Sequence, residues 1–195
     1  MSFRRLVSLT AALSAAFVLP AEAQEATRPN IVVIVADDVG FSDFGAYGSE
    51  ISTPNIDALA ARGAQFSNFH TAPVCAPTRA MLMTGTDSHL AGIGNLPESA
   101  PHAHRGQPGY LGRLADNVVT VASLLRDAGY YTAMAGKWHL GHDAASLPPA
   151  RGFDRSFALD ASGADNWEKR SYLPIYDEAP WFEDGEPAEP TDDCL

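Results

Sequence analysis

The chain has 195 residues, 46% of them hydrophobic, and its 24 acidic side chains against 13 lysines and arginines leave a formal charge of −11. That balance argues against nucleic acid as a partner, and it requires any anionic ligand to find a local cationic pocket. The length and ordinary apolar content allow one core of domain size.

Residues 1–23 carry Arg4 and Arg5, an apolar run over 6–19 and the small-residue pattern Ala21-Glu22-Ala23. This is the layout of a secretory signal peptide, so the mature chain is expected to start near Gln24 and to be periplasmic or secreted. The apolar run is short for a bilayer, and no later segment is long and apolar enough, so no membrane span is expected after signal removal. Residues 31–36 are continuously apolar and mostly β-branched, which predicts a strand buried on both faces of a parallel sheet. Asp37 and Asp38 follow at its end. Adjacent carboxylates repel unless a cation holds them, and hard divalent cations take carboxylate oxygens. A polar turn after the strand is the other reading.

Thr53 and Pro54 fit the N-cap and first residue of a helix closed by Gly63, with Ile56, Leu59 and Ala60 as its buried stripe. Residues 64–68 read as a short strand leading into Cys75. Pro77 suits the first helical position, and Cys75 and Arg79, four apart, share a face of the incipient helix. A cysteine at a helix N-terminus meets free backbone donors that favour negative charge. A buried structural cysteine is the other reading, and Met81 and Met83 are expected to pack. Residues 86–112 are rich in Gly and Pro and hold His89, His102 and His104. They read as a surface loop and a candidate active-site rim. Their histidine spacing fits no zinc pattern.

Thr120 is expected to cap a second helix with the stripe Val121, Leu124, Leu125 and Ala128 and the stop Gly129. A strand over 130–135 follows, ending in Gly136-Lys137-Trp138-His139. Alternation puts Lys137 and His139 on one face and Trp138 on the other, so a fixed cation lies beside a group that titrates near neutrality. Helix-then-strand order after an earlier strand predicts an α/β fold. Past Pro174 come Pro180, Pro187, Pro190 and eight acidic residues with no Lys or Arg. That composition predicts a solvated, disordered tail over 174–195.

Three stretches together resemble the type I, formylglycine-dependent sulfatases, and residues 70–98 resemble the arylsulfatase branch in particular. The first is residues 29–40, ending in the Asp pair. The second is Cys75-x-Pro77-x-Arg79 with Thr84 and Gly85. The third is residues 129–139, ending in Lys137-Trp138-His139, followed by Arg151-Gly152-Phe153-Asp154. The resemblance covers about residues 28–154 and implies the N-terminal portion of the alkaline-phosphatase-like fold: a mostly parallel sheet with helices on both faces, occupying 24–173. It implies hydrolysis of aryl sulfate esters, with Cys75 converted by a maturation enzyme to a formylglycine whose hydrate attacks sulfur. Asp37, Asp38 and the modified Cys75 would hold a divalent cation, calcium in preference to magnesium. Arg79 would steady the aldehyde hydrate, Lys137 would hold a sulfate oxygen, and His139 would take a proton.

Two cysteines in an oxidising compartment suggest a Cys75–Cys194 disulfide by default, and the resemblance argues against it. The later Asp-Asn pair, histidine and lysine that complete the family's site have no counterpart after Asp154. The resemblance therefore implies a truncated chain, expected to be inactive alone. A phosphonate monoester or phosphodiester hydrolase of the same superfamily and a non-catalytic truncated product are the alternatives.

Overall fold

The structure is a computed structural model describing residues 28–174 and 177–190, so the expected signal peptide and Cys194 lie outside the described residues. It divides into two compact units, 1–36 and 37–195. In the first, the described residues 28–36 form no helix or strand, and their side chains are exposed, Ile34 to 84%. The expected strand over 31–36 is therefore not formed. A strand needs a neighbour to satisfy its N–H and C=O groups, and among the described residues none pairs with this run.

Among the described residues of the second unit the α-helices are α1 (Pro54–Ala60), α2 (Cys75–Thr84) and α3 (Val121–Asp127). Its four strands are β1 (Ala133–Lys137), β2 (Arg155–Leu159), β3 (Trp181–Glu183) and β4 (Glu186–Ala188), in the sheet order β1-β2-β3-β4. The α/β class is as the sequence predicts. Within the sheet only β1 and β2 run parallel, and β2–β3 and β3–β4 are antiparallel. Short 3-10 turns at Phe41–Asp43, Gly45–Tyr47 and Pro148–Arg151 complete the regular structure. Among the described residues no helix is long and apolar enough to cross a membrane.

α2 starts two residues before Pro77, with Val74 as an extended N-cap and Cys75 as the first helical residue. It ends at Gly85, which takes the left-handed conformation (φ 63°) and donates its N–H to the Met81 carbonyl. Glycine meets that requirement without a Cβ clash. Ala76 and Ala80, four apart, face the core with Ala91, Ile93, Leu114, Trp138, Leu140 and Ala158, and Met83 packs against it. Small side chains on this face pack against Trp138, Leu140 and Ala158 in that core. Ala91 and Ile93 are fully buried, so the segment expected to be a surface loop supplies part of the core.

The two amphipathic stripes do not point where periodicity predicts. α1 buries nothing, and Ile56 and Leu59 are exposed. α3 buries Ala122 rather than Val121 and Leu124. Its cap is as expected, the Thr120 hydroxyl accepting from the Ser123 N–H. The same hydroxyl donates to the Arg151 carbonyl, so the helix entrance is fixed from outside the helix. Residues 64–68 form no strand, and β1 starts at Ala133 rather than near Tyr130.

The expected disordered tail is corrected over its described part. Asp184 (φ 48°) and Gly185 (φ 91°) form a two-residue turn between β3 and β4. Positive φ at both positions is the type I′ geometry whose twist matches paired strands. Trp181 is buried with Leu159, Ala161 and Ala179, and Arg155 pairs with both Glu183 and Asp184. One buried aromatic and a neutralising arginine outweigh an acidic composition.

Candidate active site

Cys75 at the start of α2 meets the C-terminal end of β1. Lys137 Nζ donates to Cys75 Sγ (3.3 Å), and His139 Nδ1 lies 3.4 Å from the same sulfur. Strand alternation does not explain the second contact, because β1 ends at Lys137 and His139 is left-handed (φ 56°). The intervening Trp138 is 2% exposed and anchored through Nε1 to the Ser146 carbonyl at 3.0 Å. A buried aromatic between two polar side chains holds both at the rim of the core.

Arg79, one turn along α2, reaches around Cys75 rather than to it. Its Nη1 donates to the Lys137 carbonyl (2.6 Å) and its Nη2 to Asp37 Oδ1 (3.2 Å). Its Nε is buried without a hydrogen-bond partner among the described residues. Asp37 also accepts from Lys137 Nζ through Oδ2 at 2.8 Å. Burial pushes the Asp37 carboxyl upward, but Lys137 and Arg79 more than offset this and hold it below the usual range. Asp38 sits at φ 55°, a conformation aspartate tolerates better than most residues, and no hydrogen bond or ion pair among the described residues engages its carboxylate.

The residue that sequence reasoning missed is Glu98. Its Oε2 lies 3.1 Å from His139 Nε2, and the two side chains are only 6% and 4% exposed. The lone glutamate in a Pro-rich loop gives no local signal of this pairing. Burial raises the Glu98 carboxyl, yet the His139 hydrogen bond and charge dominate and bring it down to about 2. Burial alone would lower His139; its bonds to Cys75 and Glu98 instead raise it to about 9. Burial likewise raises the Cys75 thiol, and the bond to His139 and the charge of Lys137 lower it to about 7. Near neutral pH the cluster therefore holds a partly ionised sulfur beside Lys137 and a protonated His139. Arg79, Lys137 and protonated His139 gather positive charge of the kind an anionic ligand would need in a chain of charge −11, with Asp37 and Glu98 paired beside them.

Cys75 is a free thiol. His89, edge-on, and His104, tilted, both pack against the Tyr110 ring in the loop. Among the described residues no three His, Cys, Asp or Glu side chains form a group that could hold a metal ion. Asp37 is already engaged by two cations, and a calcium-like ion takes about six to eight oxygens. The residues present do not by themselves make a divalent-cation site.

A sulfatase family model matches residues 29–193. The chain belongs to the sulfatase family. It is 49% identical over 146 residues to an uncharacterized sulfatase of Schizosaccharomyces pombe, covering 73% of this chain and 26% of that protein. It is 42% identical over 160 residues to an arylsulfatase of Klebsiella aerogenes, covering 82% of this chain and 34% of the relative. The crystal structure of Ps i-CgsB matches with a TM-score of 0.68 at 32% identity, over 84% of this chain and 38% of that one. This sulfatase-family chain thus spans about a quarter to a third of the length of the curated relatives it matches. Its fold is the alkaline-phosphatase-like α/β fold.

Proposed function

We propose that the chain carries part of a sulfate-ester hydrolase site of the arylsulfatase kind, acting on a small aryl sulfate, with Cys75 converted by a maturation enzyme to formylglycine. The observation that supports this best is the meeting of Lys137 and His139 on the Cys75 side chain, with Arg79 and Asp37 behind them. Cys75 Sγ stands in for the oxygens of the modified side chain. The surroundings fit a hydrated aldehyde, since Sγ already has two polar partners and the buried Arg79 Nε lacks an acceptor.

When present, that group supplies the hydroxyl nucleophile. Lys137 offers its ammonium to a sulfate oxygen, offsetting negative charge as it gathers there. His139 directs Nδ1 at residue 75; its bonds to Cys75 and Glu98 raise it to about 9, so it accepts a hydroxyl proton only in the fraction of chains whose ring is neutral, a fraction that grows as pH rises toward about 9. Arg79 clamps the Lys137 carbonyl and Asp37, so the lysine keeps its place relative to α2. A divalent cation, calcium before magnesium, belongs to this reading only where further oxygen ligands join Asp37 and Asp38, and no step above depends on it. The basic-then-apolar residues 1–23 support export, to the periplasm or beyond the cell, as part of the same reading.

The test is peptide mass spectrometry over residues 72–79 after co-expression with an active maturation enzyme, beside Pro77→Ala and Arg79→Ala. Formylglycine at residue 75, reduced in both variants, is expected; cysteine alone in every sample overturns the reading. Turnover of an aryl sulfate by the modified chain is expected to be weak. Among the described residues no second histidine or lysine reaches Cys75, and general acid help is worth about a hundredfold to ten-thousandfold.

A further inference from the structure

We infer that Glu98 is a positioning residue that fixes the His139 ring so that Nδ1 stays proton-free toward residue 75 whenever the ring is neutral. The inference deepens the reading above, because it assigns the part of the chain that prepares the proton acceptor.

The argument starts from hydrogen-bond capacity. A carboxylate accepts and cannot donate, so the contact between Glu98 Oε2 and His139 Nε2 at 3.1 Å requires the proton to sit on Nε2. A neutral imidazole has one N–H, and placing it on Nε2 leaves the Nδ1 lone pair directed at Cys75, 3.4 Å away. The opposite tautomer would leave a buried carboxylate facing a buried lone pair, with neither able to donate. Because the Glu98 and His139 side chains are 6% and 4% exposed, water does not readily substitute for the lost bond.

The backbone adds to the case. His139 holds φ 56°, which is uncommon for a residue other than glycine, and is kept there by buried Trp138 and Leu140 on either side. With the backbone fixed, the ring can still rotate about its side-chain bonds, and Glu98 is the contact that selects the orientation presenting Nδ1 to α2. Glu98 does not touch residue 75, and it acts through the histidine.

The test uses the full chain with 15N-labelled histidine. Long-range 1H–15N correlations of the His139 ring, assigned with His139→Gln, are recorded at alkaline pH where the ring is neutral. A chain carrying Cys75→Ser, whose hydroxyl can donate to Nδ1 where an ionised thiol cannot, is expected to show the Nε2–H form almost alone, and the Glu98 variants are made in that background. Glu98→Gln preserves size but can donate as well as accept, so a mixture of tautomers is expected. Glu98→Ala is expected to lose the preference, and Glu98→Asp to restore part of it by returning the charge. With residue 75 as serine and Glu98 intact, a ring protonated on Nδ1, or a preference unchanged in Glu98→Gln, overturns the proposal. Should the alanine variant unfold, the glutamine and aspartate variants still decide it. No sulfate ester and no modified cysteine enter this readout. A chain with the expected tautomer and no formylglycine would therefore sink the proposed function while leaving the role of Glu98 standing.

Discussion

Two regions of this chain are equally apolar in sequence and opposite in structure. The segment where α2 meets β1 buries Ala76, Ala80, Trp138 and Leu140 almost completely. Residues 31–36 and the apolar stripe of α1 leave Val32, Ile34, Ile56 and Leu59 in solvent. The difference lies in what returns to cover them. α2 and β1 are met by the 91–93 loop, by Leu114 and by β2, which arrive from distant parts of the chain. Among the described residues no strand pairs with residues 31–36, and α1 is held by polar contacts, Asp57 Oδ1 accepting from the Ala46 N–H at 2.8 Å. Apolar periodicity states what an element needs; whether the need is met is a property of the rest of the fold.

The contrast can be broken most forcefully at its buried side. Trp138→Ala removes the indole that separates Lys137 from His139 and packs edge-on against Phe153. Loss of about 3–5 kcal/mol of unfolding free energy is expected for such a truncation, measured by urea denaturation, and a loss below ~1 kcal/mol would mean this core is not cooperative. The acid limb of stability gives a second, smaller handle. Glu98 is held at about 2, below its ordinary 4.5, so its ionised form favours the folded state. The stability it contributes is present above about pH 4.5 and is lost as pH falls toward about 2. Glu98→Gln is expected to flatten the dependence across that window in chemical denaturation at stepped pH, and an unchanged slope would show that the pairing with His139 is not formed. The smallest effect is expected at the exposed side. Leu59→Ser should change stability by no more than about 0.5 kcal/mol, and a large loss would reveal a covered α1 face in solution.

The site was partly legible from sequence because its parts are local. Cys75-x-Pro77-x-Arg79 and Lys137-Trp138-His139 are short patterns, and the structure brings Cys75, Lys137 and His139 together while linking Arg79 to Asp37. Glu98 was not legible. Its partner lies 41 residues away, and no periodicity or turn rule connects a loop glutamate to a strand-end histidine. The β3–β4 hairpin was legible and overlooked: Asp184-Gly185 between two short β-capable runs is a turn signal that outranks acidic composition.

What the sequence alone determined is the set of features decided within a few residues: the Thr120 cap, the glycine end of α2, the Asp184-Gly185 turn and the Cys75-x-Pro77-x-Arg79 spacing. Capping, left-handed glycine and reactive-residue spacing depend on neighbours only a turn away. The tertiary structure decided which helix faces are buried, that residues 31–36 pair with no described strand, that His139 takes a left-handed backbone, and that Glu98 contacts its ring. Each of those depends on chain that arrives from far along the sequence, because burial and hydrogen-bond pairing are satisfied by whatever surface is brought alongside and not by the residues that require it.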